Sequence, residues 1–164
     1  MVGVTPYRIQ LRDLDAFRHL SHVRLLELLE IGRIDLYLRL VGASKLEEID
    51  LIMAELRIRY HAPAVFGEQL AVGTTVGGLG RSSIAFDYEV WKPTGVTIAT
   101  GRTTCVCFDY KTEQPQPLDP AVRQHPGIAT LTHPSELDGL PKPGEIRLLS
   151  EVKQAASCTG GDPA

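Results

Sequence analysis

Residues 23–41, VRLLELLEIGRIDLYLRLV, decide the fold. Apolar side chains recur there at steps of three and four residues, at Leu25, Leu26, Leu29, Leu36 and Leu40. Further apolar residues widen this stripe beyond that of a helix lying on a surface, namely Val23, Leu28, Ile31 and Leu38. Ser21 is a suitable N-cap, and Gly42 is a suitable left-handed residue at the other end. The pattern predicts one long helix that the rest of the chain wraps.

Strand-like runs lie on both sides of this helix. Leu56, Ile58 and Tyr60 alternate with charged residues, which is the period of a strand. Other such runs are found at 7–12, 69–76, 83–91 and 97–109. The connections at 77–80 and 92–95 are too short for a parallel crossover. We therefore predict an α+β fold in which a curved antiparallel sheet of about five strands wraps one long central helix.

Composition limits the classes of protein to which the chain can belong. The chain has 164 residues, with 17 lysines and arginines against 20 aspartates and glutamates. This length suits one globular domain, and a net charge of −3 provides no basic field for binding nucleic acid. The most apolar stretch, 23–41, is interrupted by charged residues, so no membrane span is predicted.

The N-terminus and the cysteines indicate the compartment. The first residues lack the basic start and apolar run of a secretory signal, so we expect a cytoplasmic protein. Cys105 and Cys107 are two residues apart in a strand-like run, a spacing that suits neither a redox pair nor a zinc knuckle. Both are expected to be reduced and packed.

The segment 13–22, DLDAFRHLSH, gathers acidic residues and histidines at the predicted start of the helix. Unpaired backbone N–H groups at a helix start can hold a developing oxyanion, and a nearby carboxylate can attack a carbonyl or activate water. Capping aspartates with half-buried histidines explain the same residues without catalysis. Asp15, His19 and His22 are also possible metal ligands, but no second, distant ligand accompanies them.

Several motifs in this order resemble the hotdog-fold acyl-CoA thioesterases of the 4-hydroxybenzoyl-CoA thioesterase type. The first motif consists of Asp15, Ala16, His19, Arg24, Leu26, Glu27, Glu30 and Arg33. The others are IRYHAPA at 58–64, GEQL at 67–70, GRSS at 80–83 and QPQPL at 114–118. The resemblance covers roughly residues 7–124.

This resemblance implies a catalytic role for Asp15, as a nucleophile or as a general base. His22 occupies a position that carries a catalytic histidine in some members and supplies an oxyanion-hole N–H in others. The chain departs from the family at Arg18, which replaces a glycine, and at Ser21 and His22, which replace two asparagines. Leu25 replaces a tyrosine, which mildly favours an aliphatic acyl group. Neither a metal nor another cofactor is expected.

Substrate contacts are expected at two places. Arg81, with Ser82 and Ser83, is the candidate for the phosphates of coenzyme A, although a strand connection with a solvated arginine has the same sequence. At the acyl end, the candidates are Phe17, Leu25 and Leu29, of which Leu29 is better explained by core packing. His19 is a further candidate for substrate binding.

We predict a hotdog thioesterase domain over residues 1–139, including a short helical turn at 120–124, and a partly mobile tail over 140–164. The predicted activity is hydrolysis of an acyl-CoA to a free acid and coenzyme A. An acyl carrier protein thioesterase and a non-catalytic acyl-CoA-binding protein are the alternatives. Unpaired strand edges, together with the resemblance, predict a homodimer or homotetramer with a shared active site.

Overall fold

The computed structural model describes residues 2–125, 128, 140–145 and 153. Its main elements, in chain order, are β1 (Val2–Arg8), α1 (His22–Val41), β2 (Leu51–Tyr60), β3 (Gln69–Leu79), β4 (Ser83–Trp91), β5 (Thr97–Asp109), β6 (Gln114–Pro115) and α2 (Pro120–Gln124). Short 3-10 turns lie at Leu11–Asp13 and Leu46–Glu48. The two α-helices are where the sequence predicts them.

The strands form one antiparallel sheet around α1. Their order is β1-β3-β4-β5-β2, and the two-residue β6 pairs with β5. β4 is central, and its Phe86 pairs with Val76 on one side and Thr103 on the other. This curled sheet with one long helix confirms the predicted α+β hotdog architecture.

The core lies between α1 and one face of the sheet, here called the inner face. The helix contributes Leu25, Leu28, Leu29 and Leu36, each at most 2% exposed. The sheet contributes Val72, Ile84, Phe86, Tyr88 and Val90. Burial of one such side chain stabilises the fold by about 1.5–3 kcal/mol. The apolar stripe that predicts the helix therefore also holds it in the sheet.

Two glycines fix the geometry of α1. Gly32 allows a close approach to β3, because a Cβ at this position would stand 2.6 Å from Thr74 Oγ1. Gly42 ends the helix with φ of 70°, as the sequence predicts. Any residue with a side chain is disfavoured at that φ.

The predicted first strand at 7–12 is wrong. β1 spans Val2–Arg8 and pairs with β3 from Val2↔Thr75 to Arg8↔Gln69. The strand is at the edge of the sheet, where a proline such as Pro6 is tolerated. Gly3 and Pro6 hide the strand pattern in the sequence, and the chain turns after residue 10.

The predicted tail is described only in part. Gly144 and Lys153 contact Glu89, which lies on the outer face of the sheet, opposite α1. Residues 146–152 and 154–164 lie outside the described residues, and so does the predicted mobility of the last ten or so.

Candidate active site

The segment 13–21 folds as a tight hairpin that leads directly into α1. Leu14 and Leu20 form a bridge, and the Ser21 backbone N–H donates to the Asp13 carbonyl at 2.8 Å. Near the tip, the Asp15 N–H donates to the His19 carbonyl at 2.9 Å. The hairpin therefore places Asp15 beside the stretch of chain that enters the helix.

The Asp15 carboxylate is half-buried and held from one side. Its Oδ1 accepts hydrogen bonds from the backbone N–H of Phe17 at 2.8 Å and of His19 at 3.2 Å. Its Oδ2 has no hydrogen bond within the described part of the chain. The turn thus orients the carboxylate and leaves one oxygen available for chemistry.

The start of α1 offers backbone donors. Leu25 N–H is the first to bond back, to the Ser21 carbonyl at 3.0 Å. The N–H groups of His22, Val23 and Arg24 meet no acceptor among the described residues. Ser21 takes the N-cap position with extended backbone, but its hydroxyl makes no capping bond. These donors, at the positive end of the helix dipole, suit an anionic oxygen.

Asp13 has a different environment from Asp15. It is 1% exposed, and its Oδ2 accepts from the Tyr7 hydroxyl at 2.6 Å and from the Gln10 N–H at 2.7 Å. Arg24 Nε lies 3.0 Å from its Oδ1. Burial raises the pKa of Asp13, but these hydrogen bonds and the Arg24 charge outweigh it and hold the pKa below its usual value. Asp13 therefore ties β1, the hairpin and α1 together.

Most other predicted residues of the segment face solvent. Phe17 is 80% exposed, and His19 and His22 are also exposed. The His22 ring is thus open to solvent, while its backbone N–H is one of the donors at the helix start. Leu25 is buried at 2% exposure. It shares a cavity with His19, Tyr60, His61 and Ile98.

His61 is a residue of this cavity that the sequence does not single out. Its Nε2 lies 2.9 Å from Thr100 Oγ1. The motif at 58–64 includes His61, but only the fold shows that this segment packs against the hairpin, where the Leu20 N–H donates to the Ala64 carbonyl at 2.8 Å.

The backbone conformation at Arg18 suits the glycine that the resembled motif has at this position. Its φ is 65°, in the left-handed region, and its side chain is exposed. A residue with a Cβ is disfavoured by roughly 1–2 kcal/mol in this conformation. Arg18 therefore strains the hairpin backbone while its side chain points into solvent.

Replacing Arg18 tests this strain. We expect Arg18→Gly to be about 1 kcal/mol more stable to unfolding than Arg18→Ala, since both remove the side chain and only glycine removes the strain. Urea unfolding of the two variants measures the difference. Equal stabilities, or a more stable alanine variant, would contradict a left-handed backbone at this position.

The predicted coenzyme A residues lie far from Asp15 within one chain. Arg81, Ser82 and Ser83 follow β3, whereas the hairpin packs beside residues 64–68, which precede β3. β3 has 11 residues, so at about 3.3 Å per residue the two places are some 30 Å apart. Arg81 is exposed, and its carbonyl accepts from the Leu118 N–H at 3.1 Å. One protomer does not bring Arg81 to Asp15.

A second cavity begins at the first turn of α1 and runs between the helix and β2. Its apolar lining consists of Val23, Leu26, Leu29, Met53 and Leu56. Arg33 lies at its side with 10% of its side chain exposed, and its Nη2 donates to Glu30 Oε1 at 3.1 Å. Glu27, Glu30 and Thr103 also line this cavity, so its wall is apolar only in part.

A model of the thioesterase-like superfamily matches residues 9–125, which span the hairpin, α1 and the sheet up to α2. The chain belongs to the thioesterase-like superfamily. The chain is a thioester hydrolase.

Individual relatives of this thioesterase agree with the family match. The long-chain acyl-CoA thioesterase FadM of Escherichia coli K12 is 27% identical over 126 residues, covering 73% of the chain and 93% of FadM. A thioesterase from Thermus thermophilus, solved in complex with coenzyme A and Zn, is 29% identical with a TM-score of 0.66, over 74% of the chain and 88% of its own.

A predicted thioesterase from Bacillus stearothermophilus reaches a TM-score of 0.69 at 20% identity, over 75% of the chain and 92% of its own. That likeness supports the fold alone.

The described ranges 2–125, 128, 140–145 and 153 offer no evident metal site. No three His, Cys, Asp or Glu side chains in these ranges come close enough together to hold a metal ion. In the same ranges, no helix is long and apolar enough to cross a membrane.

Proposed function

We propose that this thioesterase hydrolyses acyl-CoA to a free carboxylic acid and coenzyme A. The observation that carries the proposal is the half-buried Asp15 carboxylate, with one oxygen unbonded among the described residues, in the hairpin that enters the unpaired first turn of α1. The name of FadM and the coenzyme A bound to the Thermus enzyme support the choice of acyl-CoA.

The chemistry needs few groups. Asp15 either attacks the thioester carbonyl carbon, giving a mixed anhydride that water then hydrolyses, or takes a proton from the water that attacks this carbon. In both routes the C–S bond breaks and the electron pair leaves on sulfur. A thiol has a pKa of about 8.5, so the thiolate departs without a strong general acid. The N–H groups at the start of α1 stabilise the oxyanion.

A comparison of substrates identifies the thiol that leaves. The wild-type protein is given a series of acyl-CoAs of increasing chain length, aromatic acyl-CoAs, and the same acyl groups on acyl carrier protein, and thiol release is followed. We expect the highest kcat/KM on an aliphatic acyl-CoA, because Leu25 stands where the resembled motif has a tyrosine and the cavity beside β2 has a largely aliphatic lining in Val23, Leu26, Leu29 and Leu56. A higher kcat/KM on the acyl carrier protein thioester would contradict the proposal and would identify the carrier thioester as the preferred substrate.

The β2 edge is the proposed dimer interface. β2 is one of two edge strands in the described sheet, and its Ile52, Met53 and Tyr60 are 42–50% exposed. A long edge strand with exposed apolar side chains can pair with another strand. Antiparallel pairing of β2 with β2 of a second copy reverses that copy, which places its 80–83 turn at the end of the joint sheet that carries Asp15.

A charge on the edge tests this interface. Ile52→Glu is expected to reduce the mass from dimer to monomer in light scattering at micromolar concentration, because it buries a carboxylate between two chains. Val4→Glu is the matched control, since Val4 lies on the other edge strand at 40% exposure. A loss of the dimer in Val4→Glu but not in Ile52→Glu would move the interface to β1.

Arg81 is proposed to bind a phosphate of coenzyme A across this interface. Arg81→Ala should raise KM for acyl-CoA about tenfold or more with little change in kcat, because the lost contact is remote from the thioester. Mixing Arg81→Ala with Asp15→Asn protomers then tests sharing. If Asp15 and Arg81 of one site come from different copies, the mixed dimer regains one intact site with wild-type KM. If mixing restores nothing, each site belongs to one chain.

The cytoplasm is the proposed compartment. The buried Cys105 and Cys107, both unpaired, support it, since thiols stay reduced there.

A further inference from the structure

The outer face of the sheet is buried although it faces away from α1. Glu89 is 0% exposed and Trp91 2% exposed, and Asp87 lies beside them at 8%. An antiparallel sheet packed on a helix through one face usually leaves the other face to water. Charged side chains in particular are almost never fully buried without a partner. Asp87 has such a partner within the sheet, Arg102 of β5. The complete burial of Glu89 and Trp91 therefore requires a covering element over this part of the face.

Two contacts identify the cover as the C-terminal part of the same chain. Lys153 Nζ lies 2.9 Å from Glu89 Oε1 and 2.8 Å from Thr97 Oγ1, and 5.9 Å from the centroid of the Trp91 ring. The Gly144 N–H donates to Glu89 Oε2 at 3.2 Å. Residues 144 and 153 thus provide donors to both oxygens of the Glu89 carboxylate, and Lys153 supplies its counter-charge.

We propose that residues 140–145, together with Lys153, which forms an ion pair with Glu89, cover the outer face and thereby stop assembly at the dimer. Two sheets that stack face to face lie about 10 Å apart, which leaves no room for a polypeptide segment between them. With the cover in place, a second dimer has no sheet face to stack on. The proposal rests on the β2 dimer proposed above and does not depend on the activity.

The buried ion pair between Lys153 and Glu89 leads to a specific energetic prediction. Removing one partner of a buried ion pair leaves an uncompensated charge, whereas replacing both partners by neutral groups is close to neutral. Lys153→Met should therefore weaken the packing of the cover, because the Glu89 carboxylate loses its counter-charge and is more stable when the cover opens and water reaches it. The double variant Lys153→Met, Glu89→Gln should restore it, since no buried charge remains.

Hydrogen exchange and light scattering on the full chain test the cover. In Lys153→Met we expect exchange of the Lys142, Gly144 and Glu145 amides, which are hydrogen-bonded in the cover, to become about tenfold faster or more. The mass should rise from dimer towards tetramer as concentration increases. The double variant should return both readouts to near wild type. Lys142→Met is the matched control, because Lys142 is a 73% exposed lysine of the same cover that pairs with Glu145.

Three results would overturn the proposal. The first is exchange in Lys153→Met within about twofold of wild type, when a buried pair should matter much more. The second is faster exchange without any gain in mass, which would leave a cover that does not limit assembly. The third is a wild-type tetramer. A wild-type monomer would instead contradict the proposed β2 dimer. A wild-type protein without thioesterase activity would contradict the proposed function and would leave this test unchanged.

Discussion

Asp15→Asn is expected to lower kcat for acyl-CoA hydrolysis by about 10²–10⁴-fold while the protein stays folded. Asparagine keeps the shape of the side chain and can still accept hydrogen bonds from the Phe17 and His19 N–H groups through its carbonyl oxygen. It cannot act as a nucleophile or as a base. Steady-state thiol release, with circular dichroism to check folding, measures the effect.

Histidine variants provide the matched controls. His22→Ala leaves the backbone N–H in place, so its loss should be much smaller than that of Asp15→Asn. His19→Ala removes a neighbouring exposed ring and leaves its N–H bond to Asp15 unchanged. A His22→Ala loss as large as that of Asp15→Asn would assign the chemistry to the imidazole, against its proposed backbone role.

Asp13→Asn should lower the free energy of unfolding by about 3 kcal/mol, the effect of removing one partner of a buried ion pair. The Asp13 carboxylate is buried at 1% exposure and serves Tyr7, Gln10 and Arg24 together. The amide of the variant would retain at most part of these bonds and none of the charge attraction. Urea denaturation of wild type and variant at pH 7 measures the difference.

The pH dependence gives this prediction a second readout. The pKa of Asp13 is lower in the folded chain than its usual value of 3.8, so the carboxylate stabilises the fold above that value. The contribution is lost as pH falls through the folded pKa. The gap in stability between wild type and Asp13→Asn should therefore close below about pH 4. A gap that is independent of pH would show that charge is not what Asp13 provides.

Asp35→Asn is the matched control for Asp13→Asn. Asp35 pairs with Arg39 at 2.8 Å, but both side chains are about half exposed. A surface pair of this kind contributes about 0.5 kcal/mol or less. If Asp35→Asn costs as much as Asp13→Asn, the burial of Asp13 is not the cause.

The sequence predicts the parts of the fold that depend on local pattern. The apolar residues of α1 repeat with a helical period, and the alternation around Ile58 marks a strand, so both are visible without a structure. β1 escapes because Gly3 and Pro6 break the pattern and only pairing with β3 makes it a strand. Lys153 escapes too, because its partner Glu89 is 64 positions away.

Without the family resemblance, which points to Asp15, the residues alone predict the candidate site only as a segment. DLDAFRHLSH shows that acidic groups meet a helix start, but it presents Asp13 and Asp15 as equals. Their difference arises from Tyr7 and Arg24, which the fold brings to Asp13 and not to Asp15. The separation of Arg81 from Asp15 likewise follows from the length of β3, since the two residues flank its opposite ends.

Single-turnover cleavage by Asp15→Asn, with enzyme in excess over acyl-CoA, tests the central role of Asp15 most directly because it separates binding from chemistry. We predict that the variant binds the substrate with a Kd close to that of wild type and cleaves the thioester at least about 10²-fold more slowly. Cleavage at more than about a tenth of the wild-type rate would be a smaller loss than a catalytic group should cause, and it would contradict a catalytic role for Asp15.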